Sequence, residues 1–293
     1  MDDRARELRA SRVPYVHARV VLAEAPTSAK PGAEAIVLAD GTIEGFVGGD
    51  CAESTVRAQG IALLDSGDSL LLRITPEPEA DQPGKLVVHN PCLSGGTLEI
   101  FLEPVLPAPT LVVVGTAPVA EALVRLAGHV GFHAVAPSAL DTDVVADAAA
   151  VVVATHGRDE AAALTAALDG EVPYVGLVAS KKRGEAVIGA LDVCSSRSAR
   201  IHSPAGLDIG ARTPEEIALS ILGEIVSLRP RPSGRSVAES HASTSDALDP
   251  VCGMSVAMVD ASLHLDHEGT RVWFCGSGCL RAFASNPEAY QPA

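Results

Sequence analysis

The sequence predicts an α/β protein with a small N-terminal α+β domain, a Rossmann-like parallel-sheet domain and a small C-terminal metal-binding unit. Three observations carry that expectation. Between about residues 108 and 229, continuous apolar runs such as Leu111–Gly115 and Ala149–Ala154 alternate with helix-patterned stretches, as in a doubly wound sheet. Residues 1–107 instead alternate short apolar runs with glycine and proline punctuation. Residues 248–293 carry Cys252, Cys275 and Cys279 behind a Pro/Ser/Gly-rich stretch, 230–247, that reads as a flexible linker.

In the first segment Ala18–Ala23 and Ala35–Leu38 read as strands, followed by an Asp40-Gly41 turn and a strand over Thr42–Val47. Gly48-Gly49-Asp50-Cys51-Ala52-Glu53 leads into a helix over Ser54–Leu64. Ser69–Ile74, Lys85–His89 and Thr97–Leu102 follow as strands, the last an edge or closing strand. Pro104–Pro109 marks the boundary. After the strand Leu111–Gly115 comes a helix over Pro118–Val130, since proline suits the first helical turn. Strand Ala149–Ala154 precedes helix Arg158–Leu168, and strand Pro173–Ala179 precedes helix Lys181–Leu191. Thr213-Pro214-Glu215-Glu216 has the pattern of a capping box. It opens a helix to about Leu228, striped on one face by Ile217, Ile221, Ile225 and Leu228. The last unit is too small to be stable on a core alone, and a bound metal would supply the missing stabilisation.

Composition narrows the function. The 293 residues are 47% apolar but only 3% aromatic, which suits closely packed helices and sheet. A formal net charge of -15 argues against a nucleic-acid partner, because phosphate binding needs Lys and Arg. The charged N-terminus lacks the apolar core of a signal peptide, and no apolar run is long enough to span a membrane. Six cysteines in a chain of this size do not suggest a disulfide scaffold, so a reducing cytoplasm is expected.

Four groups of residues invite chemistry. Cys275 and Cys279 stand four apart, so a helix starting there turns both sulfurs to one side, and Cys252 arrives from a Pro/Gly turn. Such thiolates suit zinc or copper. The fourth ligand would be His264, His267, Met254, solvent or a partner, with Met254 favouring copper(I) and a histidine zinc. The alternative is a small hydrophobic zipper with inert thiols. In the second group, Gly48 and Gly49 stand beside Cys51, and Gly95 and Gly96 beside Cys92. Glycines there would let backbone N–H groups approach a ligand and expose the sulfur. A helix N-terminus would favour the Cys51 thiolate; the alternative is two small buried residues. Glu53 either caps the helix or acts on a ligand.

The third group is the turn Gly115-Thr-Ala117-Pro118, which sits where a dinucleotide fingerprint would. Ala117 occupies the place where glycine admits a pyrophosphate, and no acid closes the next strand. The helix N-terminus could take another phosphate, or the layer could serve packing alone. The fourth comprises His156 and Arg158, which follow a strand at the ligand-binding edge of the sheet, and Lys181, which follows the next strand. His156 would contact a ligand or act as acid or base. Arg158 and Lys181 would hold an anionic cofactor, or simply be solvated.

The stretches Gly45–Arg57 (GFVGGDCAESTVR), Asn90–Pro104 (NPCLSGGTLEIFLEP) and His202–Ile217 (HSPAGLDIGARTPEEI) resemble the XdhC/CoxI family over about residues 15–229. The Cys51-Ala-Glu and Asn90-Pro-Cys92 variants resemble its carbon monoxide dehydrogenase branch. Members are maturation factors for xanthine and carbon monoxide dehydrogenases. The resemblance therefore implies a non-catalytic chaperone that binds molybdenum cofactor, as molybdopterin or its cytosine dinucleotide form. It would assist sulfuration with a cysteine desulfurase and hand the cofactor to an apo molybdenum hydroxylase. Cys51 and Cys92 become the leading cofactor or sulfur contacts. Gly115-Thr-Ala117-Pro118 departs from the family's usual Gly-x-Gly-His turn. Residues 249–290, with Asp-Pro-Val-Cys252-Gly-Met and Phe-Cys275-Gly-Ser-Gly-Cys279, resemble a YHS domain, which implies metal handling. Two other readings stay open: an NAD(P)-dependent oxidoreductase, and a metal-binding adaptor or sensor. A homo-oligomer is also left open.

Overall fold

A computed structural model describes residues 1–80, 82–91, 96–138, 140, 142–229 and 246–290. Cys92, Gly95 and most of the expected linker lie outside the described residues. The chain forms two compact units, Met1–Pro107 with Pro232–Ala293, and Ala108–Arg231.

The first unit begins with α1 (Asp2–Ala10), β1 (Tyr15–Ala23), β2 (Glu34–Leu38), β3 (Ile43–Gly45), α2 (Asp50–Ser66), β4 (Leu70–Thr75), β5 (Leu86–His89) and β6 (Leu98–Val105). Its six strands run in the order β3-β2-β1-β6-β4-β5, antiparallel except for the parallel pair β4–β5. The expectation of β6 as an edge strand is corrected: it pairs with β1 on one side and β4 on the other. Period-2 alternation explains its place, because Leu98, Ile100 and Leu102 all face the core. Glu99 is also buried, where it accepts hydrogen bonds from Arg73 and Lys85. Ala52, Val56 and Leu63 of α2 join this core. The helix starts at Asp50, ahead of the expected Ser54, so Cys51 stands in its first turn.

The second unit contains β7 (Thr110–Val114), α3 (Pro118–Ala127), β8 (His133–Val135), α4 (Thr142–Ala146), β9 (Ala148–Val153) and α5 (Glu160–Asp169). It continues with β10 (Tyr174–Leu177), α6 (Lys181–Gly189), α7 (Ser195–Ser198), β11 (Ile201–His202) and α8 (Pro214–Leu228). Its five strands are all parallel in the order β11-β10-β9-β7-β8, a Rossmann-like layer. Apolar clusters cover both faces, as a doubly covered parallel sheet requires. The capping box forms as expected, with Thr213 Oγ1 accepting from the Glu216 N–H and Glu216 accepting from that of Thr213. Of the apolar stripe on α8, Ile221 and Ile225 are buried and Ile217 partly so, whereas Leu228 at the helix end is 54% exposed.

The C-terminal segment carries β12 (Asp246–Leu248), β13 (Ser255–Ala257), β14 (Leu263–His267), β15 (Thr270–Phe274) and α9 (Ser277–Ser285). Two antiparallel pairs, β12–β13 and β14–β15, are followed by the helix. Strand β12 takes in Asp246 and Ala247, which the sequence assigned to the linker. The segment belongs to the first unit, with β13 packed along α2. Its small core of Met254, Val256, Trp273 and Cys275 is bordered by Cys51. This explains why α2 buries small residues such as Thr55 and Ala58 beyond one stripe: it is covered from two directions.

Candidate functional site

Four sulfurs meet in the first unit. Cys275 directly follows β15, Cys279 lies in the first turn of α9, Cys252 sits in the turn after β12, and Cys51 lies in the first turn of α2. The Cys275 Sγ is 3.5 Å from that of Cys252, 3.8 Å from Cys279 and 3.8 Å from Cys51. The turn holding Cys252 is built by Asp249, which is 1% exposed. Its Oδ1 accepts the Val251 N–H and its Oδ2 the Cys275 N–H, each at 2.8 Å. Ligand atoms of Asp249, Cys252, Cys275 and Cys279 all lie within 4.8 Å of one another. None of the five described cysteines is in a disulfide.

Proton affinities within the cluster are unequal. A hydrogen bond from Cys275 holds Cys252 below the usual thiol range, against the effect of burial. Cys275 is pushed up by the hydrogen bonds it gives Cys252 and Cys51, and by burial. Burial and the nearby Asp249 charge push Cys279 up to about 12. Of the three, Cys252 gives up its proton most readily, and a soft cation would favour the thiolate form of each.

The predicted histidine ligands are placed elsewhere. His264 Nδ1 lies 2.9 Å from the Ser262 carbonyl, with its ring against Trp273, and His267 meets Phe283 edge-on. Among the described residues neither joins the metal-capable group. Met254 is buried beside the thiols.

The sulfurs form one wall of a cavity of about 650 Å³. Its other walls include Thr27, Ser28, Gly49, Thr75, Asn90 and Arg281. Asn90 and Thr75 are buried. Among the described residues, Gly49 is the one predicted glycine that leaves open space where a side chain would stand. A Cβ at Gly96 would lie 1.8 Å from the Glu24 carbonyl oxygen and one at Gly48 2.8 Å from Ala52 Cβ. Their small size therefore serves packing. Glu53 makes no capping hydrogen bond, since α2 has no side-chain cap. Burial raises its carboxyl pKa, with Arg57 opposing. Sequence reasoning missed Asp50 and Arg281; the carboxylate of Asp50 accepts the Ser277 N–H at 3.1 Å. Nothing local in the sequence signals a contact between positions so far apart.

In the Rossmann unit Gly115 has φ +116, and a Cβ there would lie 2.3 Å from the Ala154 carbonyl oxygen. That oxygen also accepts the Ala117 N–H, and Pro118 has no N–H to offer. The first turn of α3 is thus poorly furnished for a pyrophosphate. His156, Arg158 and Lys181 are exposed. The loop after β9 closes on Glu160, which sequence reasoning did not single out. Glu160 is buried and accepts from the Gly157 N–H at 2.8 Å, from Thr155 Oγ1 at 3.3 Å and from Arg183. The loop N–H that an anion would use is satisfied internally. Glu224 plays a similar part beneath the His202–Gly206 loop, accepting the Tyr174 hydroxyl at 2.5 Å and the Gly206 N–H at 2.8 Å.

Comparison with known proteins gives the family. Residues 8–75 match the XdhC and CoxI family, and residues 111–225 match the XdhC Rossmann domain. The uncharacterized protein YqeB of Escherichia coli is 28% identical over 297 aligned residues, covering 92% of this chain and 53% of YqeB. A probable xanthine dehydrogenase subunit of Bacillus subtilis is 26% identical over 160 residues, covering 46% of this chain and 47% of that protein. The chain thus spans about half the length of these curated relatives. A crystal structure of a xanthine dehydrogenase from Bacillus halodurans is similar at 19% identity and TM-score 0.49, covering 82% of this chain and 69% of that one. Through residues 8–75 and 111–225, this chain belongs to the XdhC and CoxI family.

Proposed function

We propose that this protein is a maturation factor for a molybdenum hydroxylase of the xanthine or carbon monoxide dehydrogenase type. In this reading it binds molybdenum cofactor, assists its sulfuration by a cysteine desulfurase and delivers it to the apo-enzyme. The observation that carries the reading is Cys51, set on the wall of a roomy cavity in a chain with both XdhC domains. The volume of about 650 Å³ lies within the range of small-molecule sites and accommodates a pterin. The lining also fits. Asn90, Thr27 and Ser28 offer amide and hydroxyl groups to a heterocycle's edge, Arg281 offers a cation to a phosphate, and Cys51 offers sulfur. The group would supply a dithiolene-held molybdenum. The chain's own work is to shelter it from water, orient it and present a thiol. Cys92 keeps its proposed role as a second sulfur contact. Arg158 and Lys181, exposed in the Rossmann unit, stay proposed as contacts for an anion bound within that unit.

Cys252, Cys275 and Cys279 are proposed to hold zinc or copper. The YHS resemblance and the gathering of the three thiols support that reading. NAD(P) turnover is disfavoured by the Gly115 turn, where the Ala117 N–H bonds the Ala154 carbonyl and Pro118 has no N–H to offer.

Anaerobic purification followed by pterin fluorescence tests the cofactor reading. Wild type is expected to carry or take up a pterin, and Cys51→Ala and Cys92→Ala to lose it. A chain that stays pterin-free after reconstitution refutes it.

A further inference from the structure

We propose that Cys51 is the fourth thiolate of a soft-metal site completed by Cys252, Cys275 and Cys279. A single ion would then join the first turn of α2 to the C-terminal segment. This deepens the metal-binding reading of the three C-terminal cysteines and rests on it; while the ion is bound, Cys51 is its ligand and the sulfur offered to the cofactor is that of Cys92.

The sulfur separations carry the inference. Thiolates set tetrahedrally around zinc at ~2.3 Å stand about 3.8 Å apart. From Cys275 the three other sulfurs lie at 3.5, 3.8 and 3.8 Å, the lengths of three of the six edges of such a tetrahedron. The mutually close group is Asp249, Cys252, Cys275 and Cys279, so Cys51 joins it through its approach to Cys275. These distances far exceed the ~2.05 Å of a disulfide. Asp249 is the competing fourth ligand, but each of its carboxylate oxygens already accepts a backbone N–H at 2.8 Å. It shapes the turn that presents Cys252 and supports Cys275, as groups behind metal ligands do. His264 and His267 are engaged with other partners.

The surroundings suit the role. Helices α2 and α9 both begin at the cluster, and helix N-termini favour thiolates. Asp50 ties the two first turns together through the Ser277 N–H. Gly276 makes the approach feasible, since a Cβ there would lie 3.2 Å from the Cys51 sulfur and 3.2 Å from Asp50 Cβ. Met254, Val256 and Trp273 form the apolar core behind the sulfurs, which line the cavity on their other side.

The test uses the full chain with Zn²⁺, and with Co²⁺ as the spectroscopic probe. Wild type is expected to bind one ion and to show the ligand-field and charge-transfer bands of four thiolates. Cys51→Ser is expected to lose at least ~10-fold in affinity, the scale at which even supporting groups matter, and to shift its bands toward three thiolates. Unchanged affinity and bands in Cys51→Ser would overturn the fourth-ligand assignment while leaving the three-cysteine site standing. Failure of wild type to bind either ion would overturn both. Should Cys51→Ser not fold, wild type alone decides through iodoacetamide labelling read by peptide mass. Zinc is expected to slow labelling of Cys51 together with the other three cysteines, and a chelator to restore it. Labelling of Cys51 that ignores zinc overturns the proposal.

Discussion

Cys51 shows how one residue can be read in two ways at once. Its place after a glycine pair and at a helix start is visible in the sequence, and both features favour a reactive thiolate. Its neighbour Cys275, 224 positions later, is not visible there. Gly115 makes the converse point. The sequence offers it as a ligand-binding glycine, whereas the fold needs it because the Ala154 carbonyl leaves no room for a side chain. Gly115→Ala combines that clash with a φ of +116, and should cost more than about 2 kcal/mol in urea denaturation. A loss within error would show that β7 and β9 can part there without strain.

At the scale of elements, β6 takes its position from charges as well as from its apolar face. Glu99 is held below the usual carboxylate range, chiefly by the Lys85 hydrogen bond with Arg73 adding to it, while burial opposes both. Glu99→Gln should therefore destabilise the first unit by about 2 kcal/mol at neutral pH. The sign of the pH effect follows from the lowered folded-state pKa. The stabilisation is complete above the unfolded carboxylate's value near ~4.3 and is lost as pH falls through the lower folded value. Denaturation of wild type and Glu99→Gln should thus converge on acidification, and a gap that persists below that window would contradict the assignment. The alternation of β6 was legible in residues 98–102, but its centrality was not. Pairing partners are chosen among strands far apart in sequence, and β1 and β4 flank it only in the fold.

At the scale of the whole molecule, the C-terminal segment and the N-terminal sheet share α2 and therefore share stability. Deleting residues 230–293 should uncover Cys51 and the outer face of α2. Faster alkylation of Cys51 and a lower unfolding midpoint for the first unit are expected; unchanged values would mean that the segment contributes no cover. A bound ion should add to the stability of the full chain, by about 2.7 kcal/mol when free metal is 100-fold above its Kd. A chelator-insensitive melting curve would speak against any metal at the cluster. The sequence alone determined the local patterns: the doubly wound alternation of 108–229, the Thr213 capping box, the thiol spacing at the C-terminus and the glycine-flanked Cys51. Those follow from periodicity, capping chemistry and short-range spacing, which a linear chain displays directly. Only the tertiary structure decided that Cys51 faces Cys275, that Asp249 shapes the turn rather than standing free, and that the histidines turn away. Such contacts arise when distant segments bury a common surface, and no local pattern encodes which surfaces will meet.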